Sequence, residues 1–317
     1  MSETTAIELS SEALETVPCP LCGARETKLV LYARDRLFAR PGRYRIVSCT
    51  SCDLRYLSPR PTLEALGSHY PSRYFIYQPP DQLPAFTRPM VRLFTHMRWR
   101  ESLARLERVT GRLSPDTRIV DVGCGLNDYL ATLRQLRGVQ GIGVDFKPEV
   151  AEYVRNTLDM RVYAGTLFEP QFPAASFDLV TMNEYLEHEP NPLAILREAR
   201  RITVAGGHLA LELPSADCLP ARLFGSRWSQ IDAPRHLIHF TKQTLNEMLR
   251  RSGYELVHTE TFQIPYVIGL SVLHAFGHRR LGELTFIDRT LAMLATLPFI
   301  LIFPLLDEFR FAVARAI

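Results

Sequence analysis

The sequence predicts an α/β protein whose mostly parallel sheet is preceded by a small metal-binding module and followed by an apolar helical extension. Between residues 118 and 261, short apolar, β-branched runs alternate with helical stretches, a pattern typical of a parallel sheet covered on both faces. Two C-x-x-C motifs precede this region, and an uncharged apolar run follows it. These three observations divide the chain into unlike parts.

Composition sets the broad class of protein. Of the 317 residues, 46% are hydrophobic and 22% are charged, which excludes collagen-like, low-complexity and wholly disordered chains. The net charge of +3 is too small to predict nucleic-acid binding by itself. The basic residues from Arg25 to Arg112 are all arginines except Lys28; they suit phosphate or carboxylate groups, or else form a solvated face.

The first 17 residues contain four glutamates and no apolar core. They therefore do not resemble a secretory signal, and we expect a disordered segment on a protein that starts in the cytoplasm.

Two cysteine pairs come next, and 26 residues separate them. Four thiolates at this spacing can bind a tetrahedral Zn²⁺, whereas redox dithiols are the competing interpretation. Gly23 and Asp53 follow the second cysteine of each pair, where a metal knuckle favours residues that tolerate positive φ. The predicted ligands of this Cys₄ zinc ribbon are Cys19, Cys22, Cys49 and Cys52.

The Pro-rich stretch 78–89 marks a joint, and residues 91–112 are predicted as an amphipathic helix that leads into the sheet domain. There the predicted strands are 118–121, 140–145, 177–182, 208–213 and 254–261, and the predicted helices are 126–136, 148–158, 192–202 and 241–251.

A glycine turn follows the first of these strands. Gly123 and Gly125 let the backbone approach a ligand, and Asp145, at the end of the second strand, can accept hydrogen bonds from ribose hydroxyls. A dinucleotide-binding turn would have its third glycine where Asp128 stands, and a carboxylate there would repel a pyrophosphate. S-adenosylmethionine (SAM) has an ammonium, a sulfonium and no phosphate, so it fits better. A glycine turn that only packs a helix on a strand is the alternative.

These motifs resemble those of class I SAM-dependent methyltransferases, which have a Rossmann-like sheet, over residues 112 to 262. The residues that carry the resemblance are Val120–Gly125, Asp145, Ser176–Val180 and Ala205–Gly207. The cofactor contacts that it implies are Asp121, Gly123 and Gly125 on the methionine part, Asp145 on the ribose, Thr166 near the adenine, and Asn183 at the end of the fourth strand. Asn127 replaces a third glycine of the family, and asparagine tolerates positive φ. Thr166 stands where the family often has an aspartate.

The cysteine-containing module resembles the zinc-binding module that precedes the methyltransferase domain in sugar C-methyltransferases and in methyltransferases of surface-polysaccharide and natural-product pathways. The run Arg55–Pro61 after the last cysteine shares in this resemblance. It implies that the module acts as a lid or as support on the substrate side.

Acids and histidines follow the fourth strand. Glu184 and Glu187 are three residues apart beside His188, so a helical turn would place both carboxylates on one face. The group can act as a base or hold a second divalent metal; without metal, the glutamate caps a helix and the histidine packs. E-x-x-E-H resembles the metal-binding segment of ubiquinone-pathway O-methyltransferases and of small-RNA 2′-O-methyltransferases. The resemblance to the second of these families implies a further histidine at His236. Arg235 beside it is a candidate for binding an acidic substrate group.

The run Thr290–Leu306 has no charged residue but contains two prolines. It is short for a bilayer span, so we expect a buried hairpin or an interfacial segment. The predicted domains are a disordered terminus (1–17), a zinc-ribbon-like module (18–78), a linker and helix (79–111), the SAM-binding domain (112–262) and an apolar extension (263–317).

The predicted function is SAM-dependent methylation of an oxygen or carbon of a small-molecule acceptor, for example a nucleotide-linked sugar or a lipid-linked or isoprenoid compound. The acceptor is expected to be acidic or lipid-linked, with peripheral contact at the inner face of the membrane through the apolar extension. RNA 2′-O-methylation, although nucleic acid is the less expected partner, and a non-catalytic zinc-ribbon protein with a vestigial nucleoside pocket are the alternatives.

Overall fold

The computed structural model describes residues 13–71, 77, 79, 82–277, 294, 296 and 306–317, except for the side chains of residues 265 and 266. The strands in this part of the chain are β1 Leu14–Glu15, β2 Thr27–Ala33, β3 Tyr44–Cys49, β4 Arg55–Leu57, β5 Arg60–Pro61, β6 Ile119–Val122, β7 Ile142–Asp145, β8 Arg161–Ala164, β9 Phe177–Asn183, β10 Thr203–Pro214, β11 Ile238–His239, β12 Tyr254–Phe262 and β13 Phe309–Ala316. The α-helices are α1 Leu63–Gly67, α2 Arg88–Thr110, α3 Asp128–Arg137, α4 Pro148–Leu158, α5 Pro192–Ile202, α6 Leu219–Phe224, α7 Lys242–Arg251 and α8 Pro265–Ala275.

The central sheet has the strand order β12-β13-β10-β9-β6-β7-β8. Strands β6 to β10 are parallel neighbours, whereas β13 is antiparallel to both β10 and β12. The predicted α/β fold with a Rossmann-like sheet is confirmed.

The predicted carboxyl-terminal boundary of this domain is wrong. We expected the sheet to end at residue 262 and to be followed by a helical extension. Helix α8 fits that expectation, but β13 returns to the sheet and separates β10 from β12. Its side chains are buried from Phe309 to Ala314, so a strand, not a helix, completes the core there.

Local sequence explains why most elements were predicted closely. Helix α5 begins with proline at its first turn, and the side chain of Asn191 accepts a hydrogen bond from the Ala194 backbone N–H. Its buried residues, spaced as one helical face, are Pro192, Ile195, Leu196, Ala199 and Ile202. Strand β8 was not predicted, because it has four residues of which three are exposed.

The amino-terminal module is a second sheet with the order β11-β4-β3-β2. Its fourth strand, β11, comes from the sheet domain, so the two parts are joined by backbone hydrogen bonds. Leu14–Glu15 pairs with Arg60–Pro61, and the expected disorder of residues 1–17 therefore does not hold for these two residues; residues 1–12 lie outside the described part.

One apolar core runs through both parts. Side chains of the module, such as Tyr56 and Leu57, belong to the same buried cluster as Trp228, Leu237 and Met248 of the sheet domain. A core shared in this way makes the module a part of the folded domain instead of an independent unit.

The predicted apolar run 290–306 falls almost entirely outside the described residues. Among the helices that are described, none is long and apolar enough to cross a bilayer.

Candidate functional site

The predicted site residues gather at the carboxyl ends of β6, β7 and β9, the edge at which parallel sheets place ligands. The turn after β6 is held by the backbone N–H groups of Gly123 and Cys124, which donate to the Val144 carbonyl at 2.8 and 3.1 Å. Gly123 and Gly125 have φ of 73° and 50°. Asn127 has φ of 63°, which confirms that asparagine takes the left-handed conformation here.

Asp121 lies beneath this turn and is 2% exposed. Its Oδ1 accepts hydrogen bonds from the hydroxyl of Thr181 at 2.6 Å and from the amide of Asn183 at 3.3 Å. Burial raises the pKa of Asp121 to about 7, although these two donors act against the shift. The structure therefore places Asn183 beside the buried acid, whose charged form a cationic ligand would favour.

Asp145 closes the other side of the turn. Its two carboxylate oxygens accept hydrogen bonds from the backbone N–H of Gly125 at 2.9 Å and from that of Lys147 at 3.0 Å. Burial raises its pKa in spite of these bonds. The carboxylate is thus oriented by the chain itself, as a group that binds a ligand of fixed geometry needs to be.

A carboxylate that the sequence analysis missed stands beside Thr166. The backbone N–H and hydroxyl of Thr166 donate to Glu169 Oε2 at 2.6 and 2.5 Å, and the hydrogen bonds from Thr166 lower the pKa of Glu169. Glu169 therefore supplies, three residues later, a charge that Thr166 lacks. A turn with the spacing T-x-x-E is the signal that would have indicated it.

Tyr185 was also missed. A Cβ atom added to Gly123 would stand 2.5 Å from Cδ2 of Tyr185, so the ring lies directly against the glycine turn. The hydroxyl of Tyr185 donates to Glu189 at 2.7 Å, which fixes the ring.

The predicted helical turn that would bring Glu184 and Glu187 to one face is wrong. A 3₁₀ helix covers only Leu186–His188, and Glu184 has a left-handed φ of 51°. Glu184 is therefore turned away and pairs with Arg98, whose Nη2 lies 2.9 Å from Glu184 Oε1.

Arg98 and the strand β10 form a second ionic group below Glu184. Glu212 is 1% exposed and accepts a hydrogen bond from the Ser102 hydroxyl at 2.7 Å. Nη2 of Arg98 lies 2.7 Å from one of its carboxylate oxygens, and Nη2 of Arg105 lies 3.6 Å from the other. Two arginines of the predicted basic face are therefore engaged in ion pairs within the protein.

Glu187, in contrast, is 2% exposed, and neither of its carboxylate oxygens has a hydrogen-bond partner among the described residues. Burial raises its pKa well above the usual range. A buried carboxylate without partners is costly unless a proton or a cation compensates its charge.

His188 and His236 lie beside Glu187, with ring centroids 4.6 Å apart. The Nδ1 atom of His188 is 3.0 Å from the carbonyl of Arg235, and that of His236 is 2.8 Å from the carbonyl of Gln230. Because a carbonyl only accepts, each Nδ1 carries the proton and each Nε2 presents a lone pair. Burial lowers the pKa of His188 to about 3 and that of His236 to about 4.

One ligand atom each from Glu187, His188 and His236 lies within 4.8 Å of the others, close enough to hold a metal ion. Two histidines and one carboxylate are a known ligand set for divalent transition metals, and a carbonyl partner on the other ring nitrogen is the usual outer support. The residues therefore fit a cation, with His236 in the place that we had given to Glu184.

The prediction that Arg235 binds an acidic substrate group is wrong. Its side chain is 0% exposed and is saturated by two carboxylates, Asp35 and Asp232. It is a buried structural cation.

Among the described residues, the four cysteines of the module form a second cluster that can hold a metal. The Sγ atoms of Cys19 and Cys52 are 3.5 Å apart, as are those of Cys22 and Cys49, close to the ~3.8 Å expected around a tetrahedral zinc with bonds of about 2.3 Å. Gly23 and Asp53 have φ of 78° and 59°, and their N–H groups donate to the Cys19 and Cys49 carbonyls. Two matching knuckles therefore present four thiols to one point.

Comparison with known proteins agrees with this arrangement. A family model described as "Methyltransferase domain" matches residues 93–259, just over half of the chain. The ubiquinone biosynthesis O-methyltransferase of Xanthomonas axonopodis pv. citri is 37% identical over 118 residues, 34% of this chain and 47% of that protein. The demethylmenaquinone methyltransferase of Geobacillus kaustophilus is 26% identical over 215 residues, 58% of this chain and 87% of that protein. The chain thus spans about half the length of the first of these relatives.

Among solved structures, a geranyl diphosphate methyltransferase in complex with geranyl diphosphate and sinefungin has a TM-score of 0.50 and 14% identity, with 68% of this chain and 78% of that chain covered. At this identity the likeness concerns the fold alone.

Proposed function

Because this chain belongs to the methyltransferase-domain family whose model matches residues 93–259, we propose that it transfers the methyl group of SAM to an oxygen or carbon of a small-molecule acceptor. The observation that carries the proposal is the glycine turn between two buried acids, Asp121 and Asp145. Glycines allow close approach of the cofactor, and the acids suit its ammonium group and its ribose hydroxyls.

The acceptor that we propose is an isoprenoid quinone precursor or another lipid-linked phenol or enol. The support is that the similar proteins from Xanthomonas and Geobacillus carry names of the ubiquinone and menaquinone pathways. Peripheral contact with the inner face of the membrane remains part of this proposal. RNA methylation has less support, because Arg98 and Arg105 of α2 are held in ion pairs with buried Glu212.

The reaction is an in-line displacement. A bond forms between the acceptor oxygen or carbon and the methyl carbon, the carbon–sulfur bond breaks with its electrons going to sulfur, and S-adenosylhomocysteine leaves. Holding the three atoms in line supplies most of the rate enhancement, since well-oriented pairs reach effective molarities of about 10⁵ M or more. In the absence of a cation, the proton of the acceptor passes to Nε2 of His188 or His236, both of which are neutral at pH 7 because burial lowers their pKa values. With a cation bound to these nitrogens, the proton would pass to water instead.

We propose that Glu187, His188 and His236 hold a divalent cation and that the four cysteines hold a structural Zn²⁺. A cation at the first site would act as a Lewis acid that lowers the pKa of the acceptor hydroxyl. Glu187 would supply the compensating charge, and the backbone carbonyls of Gln230 and Arg235 would keep both Nε2 atoms directed at the site.

Calorimetric titration of the purified chain with S-adenosylhomocysteine tests the cofactor part, and release of S-adenosylhomocysteine with a phenolic isoprenoid acceptor tests turnover. We expect one nucleoside per chain, and a turnover loss of about 100-fold or more in Glu187→Gln with unchanged nucleoside affinity. Glu152→Gln, an exposed substitution on α4, is the matched control. Absence of nucleoside binding by the folded protein would overturn the methyltransferase proposal, whereas normal turnover in Glu187→Gln would remove only the acid–histidine group from the mechanism.

A further inference from the structure

The amino-terminal module reaches the acid–histidine group through one buried ion pair. Asp35, in the loop between β2 and β3, is 2% exposed. Its Oδ1 and Oδ2 atoms lie 3.0 and 3.2 Å from Nη2 and Nη1 of Arg235, and its Oδ1 also accepts the backbone N–H of Phe38. The Phe38 ring lies under the guanidinium at 4.9 Å. Asp35 is thus fixed on Arg235 by both hydrogen bonding and packing.

Arg235 in turn touches the histidines in two ways. Its own carbonyl accepts from Nδ1 of His188 at 3.0 Å. Its guanidinium binds Asp232, with Nε 2.9 Å and Nη2 2.5 Å from the carboxylate, and Asp232 Oδ2 lies 3.9 Å from Nε2 of His236. Any change in how Arg235 is held therefore reaches both histidines.

The charges in this chain of contacts do not cancel. Two carboxylates, Asp35 and Asp232, face a single guanidinium, so the buried triad has one negative charge in excess. If Asp35 were neutral, Arg235 would compensate Asp232 alone, and the face turned toward His236 would lose that charge. In a buried setting such a charge acts over several ångströms with little screening.

A backbone contact makes the same connection. The N–H of Leu237 donates to the carbonyl of Glu187 at 2.8 Å, and the carbonyl of Leu237 accepts the N–H of Leu57 in the module at 2.8 Å. The module thus holds the segment that carries His236 at both the side-chain and the backbone level.

We propose that Asp35 is a positioning residue for the Glu187–His188–His236 site: by binding Arg235 it leaves the charge of Asp232 available to a cation at that site. The inference rests on the proposed divalent site. It gives the amino-terminal module a part in cation binding that is separate from the metal held by its own cysteines.

Titration of the full, zinc-loaded chain with Mn²⁺ tests the proposal. Binding is measured as the loss of the electron paramagnetic resonance signal of free Mn²⁺. We expect one Mn²⁺ per chain in the wild type and none in Glu187→Gln. Asp35→Asn keeps the size of the side chain and should bind Mn²⁺ about 10-fold more weakly. This is the lower end of the loss caused by removing an outer partner of a metal ligand, because Asp35 acts on the ligands through Arg235. Glu64→Gln makes the same charge change at an exposed position of the module and should bind as the wild type does.

A second variant separates charge from simple loss of structure. In Asp35→Asn/Arg235→Gln both partners are neutral and Asp232 keeps its charge, so Mn²⁺ affinity should recover to within about threefold of the wild type. A merely structural role predicts that the double variant binds more weakly than Asp35→Asn, and that result would overturn the proposal. Equal Mn²⁺ affinity in Asp35→Asn and the wild type would overturn it as well. Failure of the wild type to bind Mn²⁺ would overturn both the role of Asp35 and the proposed divalent site. The methyltransferase proposal would still be decided separately by nucleoside binding.

Discussion

The two glycines of the turn after β6 should respond differently to the same substitution. Gly123 and Gly125 both have positive φ, and alanine in the left-handed region costs roughly 1–2 kcal/mol. At Gly123 the new Cβ would also stand 2.5 Å from Cδ2 and 3.1 Å from Cβ of Tyr185. Because the Tyr185 Cβ is close to its own backbone, the ring cannot move away freely, and overpacking adds about 1–3 kcal/mol. At Gly125 the added Cβ meets nothing within 4 Å.

The expected destabilisation is therefore about 2–5 kcal/mol for Gly123→Ala and about 1–2 kcal/mol for Gly125→Ala. Thermal unfolding without ligand should show Tm decreases of roughly 4–20 °C and 2–8 °C, at about 2–4 °C per kcal/mol. Both variants should lose affinity for S-adenosylhomocysteine, because the open space at Gly125 is where the cofactor would approach. Equal Tm decreases in the two variants would refute the assigned contact with Tyr185. The contact would also be refuted if adding Tyr185→Ala to each variant left the difference between their Tm values unchanged.

Three further predictions follow from buried charges and thiols. The folded-state pKa values of His188 and His236, about 3 and about 4, lie below the ordinary value near 6.5. The unfolded chain therefore takes up protons first as the pH falls from about 6.5 to 4, and the free energy of unfolding should decrease by on the order of 1 kcal/mol per pH unit for each histidine. Urea unfolding at pH 7, 6 and 5 measures this decrease. The same pH dependence in a variant with both histidines replaced by glutamine would contradict the prediction. Arg98→Gln leaves the buried carboxylate of Glu212 without its nearest cation and should cost about 3–5 kcal/mol in urea unfolding; a cost below about 1 kcal/mol, typical of exposed ion pairs, would contradict the buried assignment. Elemental analysis should find one zinc per chain in the wild type and little in Cys49→Ser, which should also have a lower Tm. Zinc at the wild-type level in this variant would contradict the set of four cysteine ligands.

Motifs whose partners are close in sequence were predicted well. The cysteine pairs, the glycine turn and Asp145 follow from spacing alone, because a knuckle or a strand–turn–helix connection positions them locally. Helices α4 and α5 were predicted to the residue, since proline starts each of them and apolar residues keep a helical period.

The remaining roles depend on tertiary contacts that no local pattern contains. Glu184 and Glu187 stand three residues apart, but the left-handed φ at Glu184 sends them to different partners. Asp35 meets Arg235 across 200 positions of sequence. Strand β13 was read as part of an apolar helical extension because its partners lie far upstream in the chain.

The position of β13 also has a consequence for biosynthesis. On the ribosome, β10 and β12 are made well before residues 309–316. Until β13 arrives between them, β10 keeps one edge unpaired and β12 has no strand partner in this sheet. Exposed strand edges of this kind invite pairing with other chains. A nascent chain that stalls or is cleaved before residue 309 should therefore aggregate or be captured by chaperones, even though its glycine turn, its cysteine knuckles and its acid–histidine group have all been synthesised.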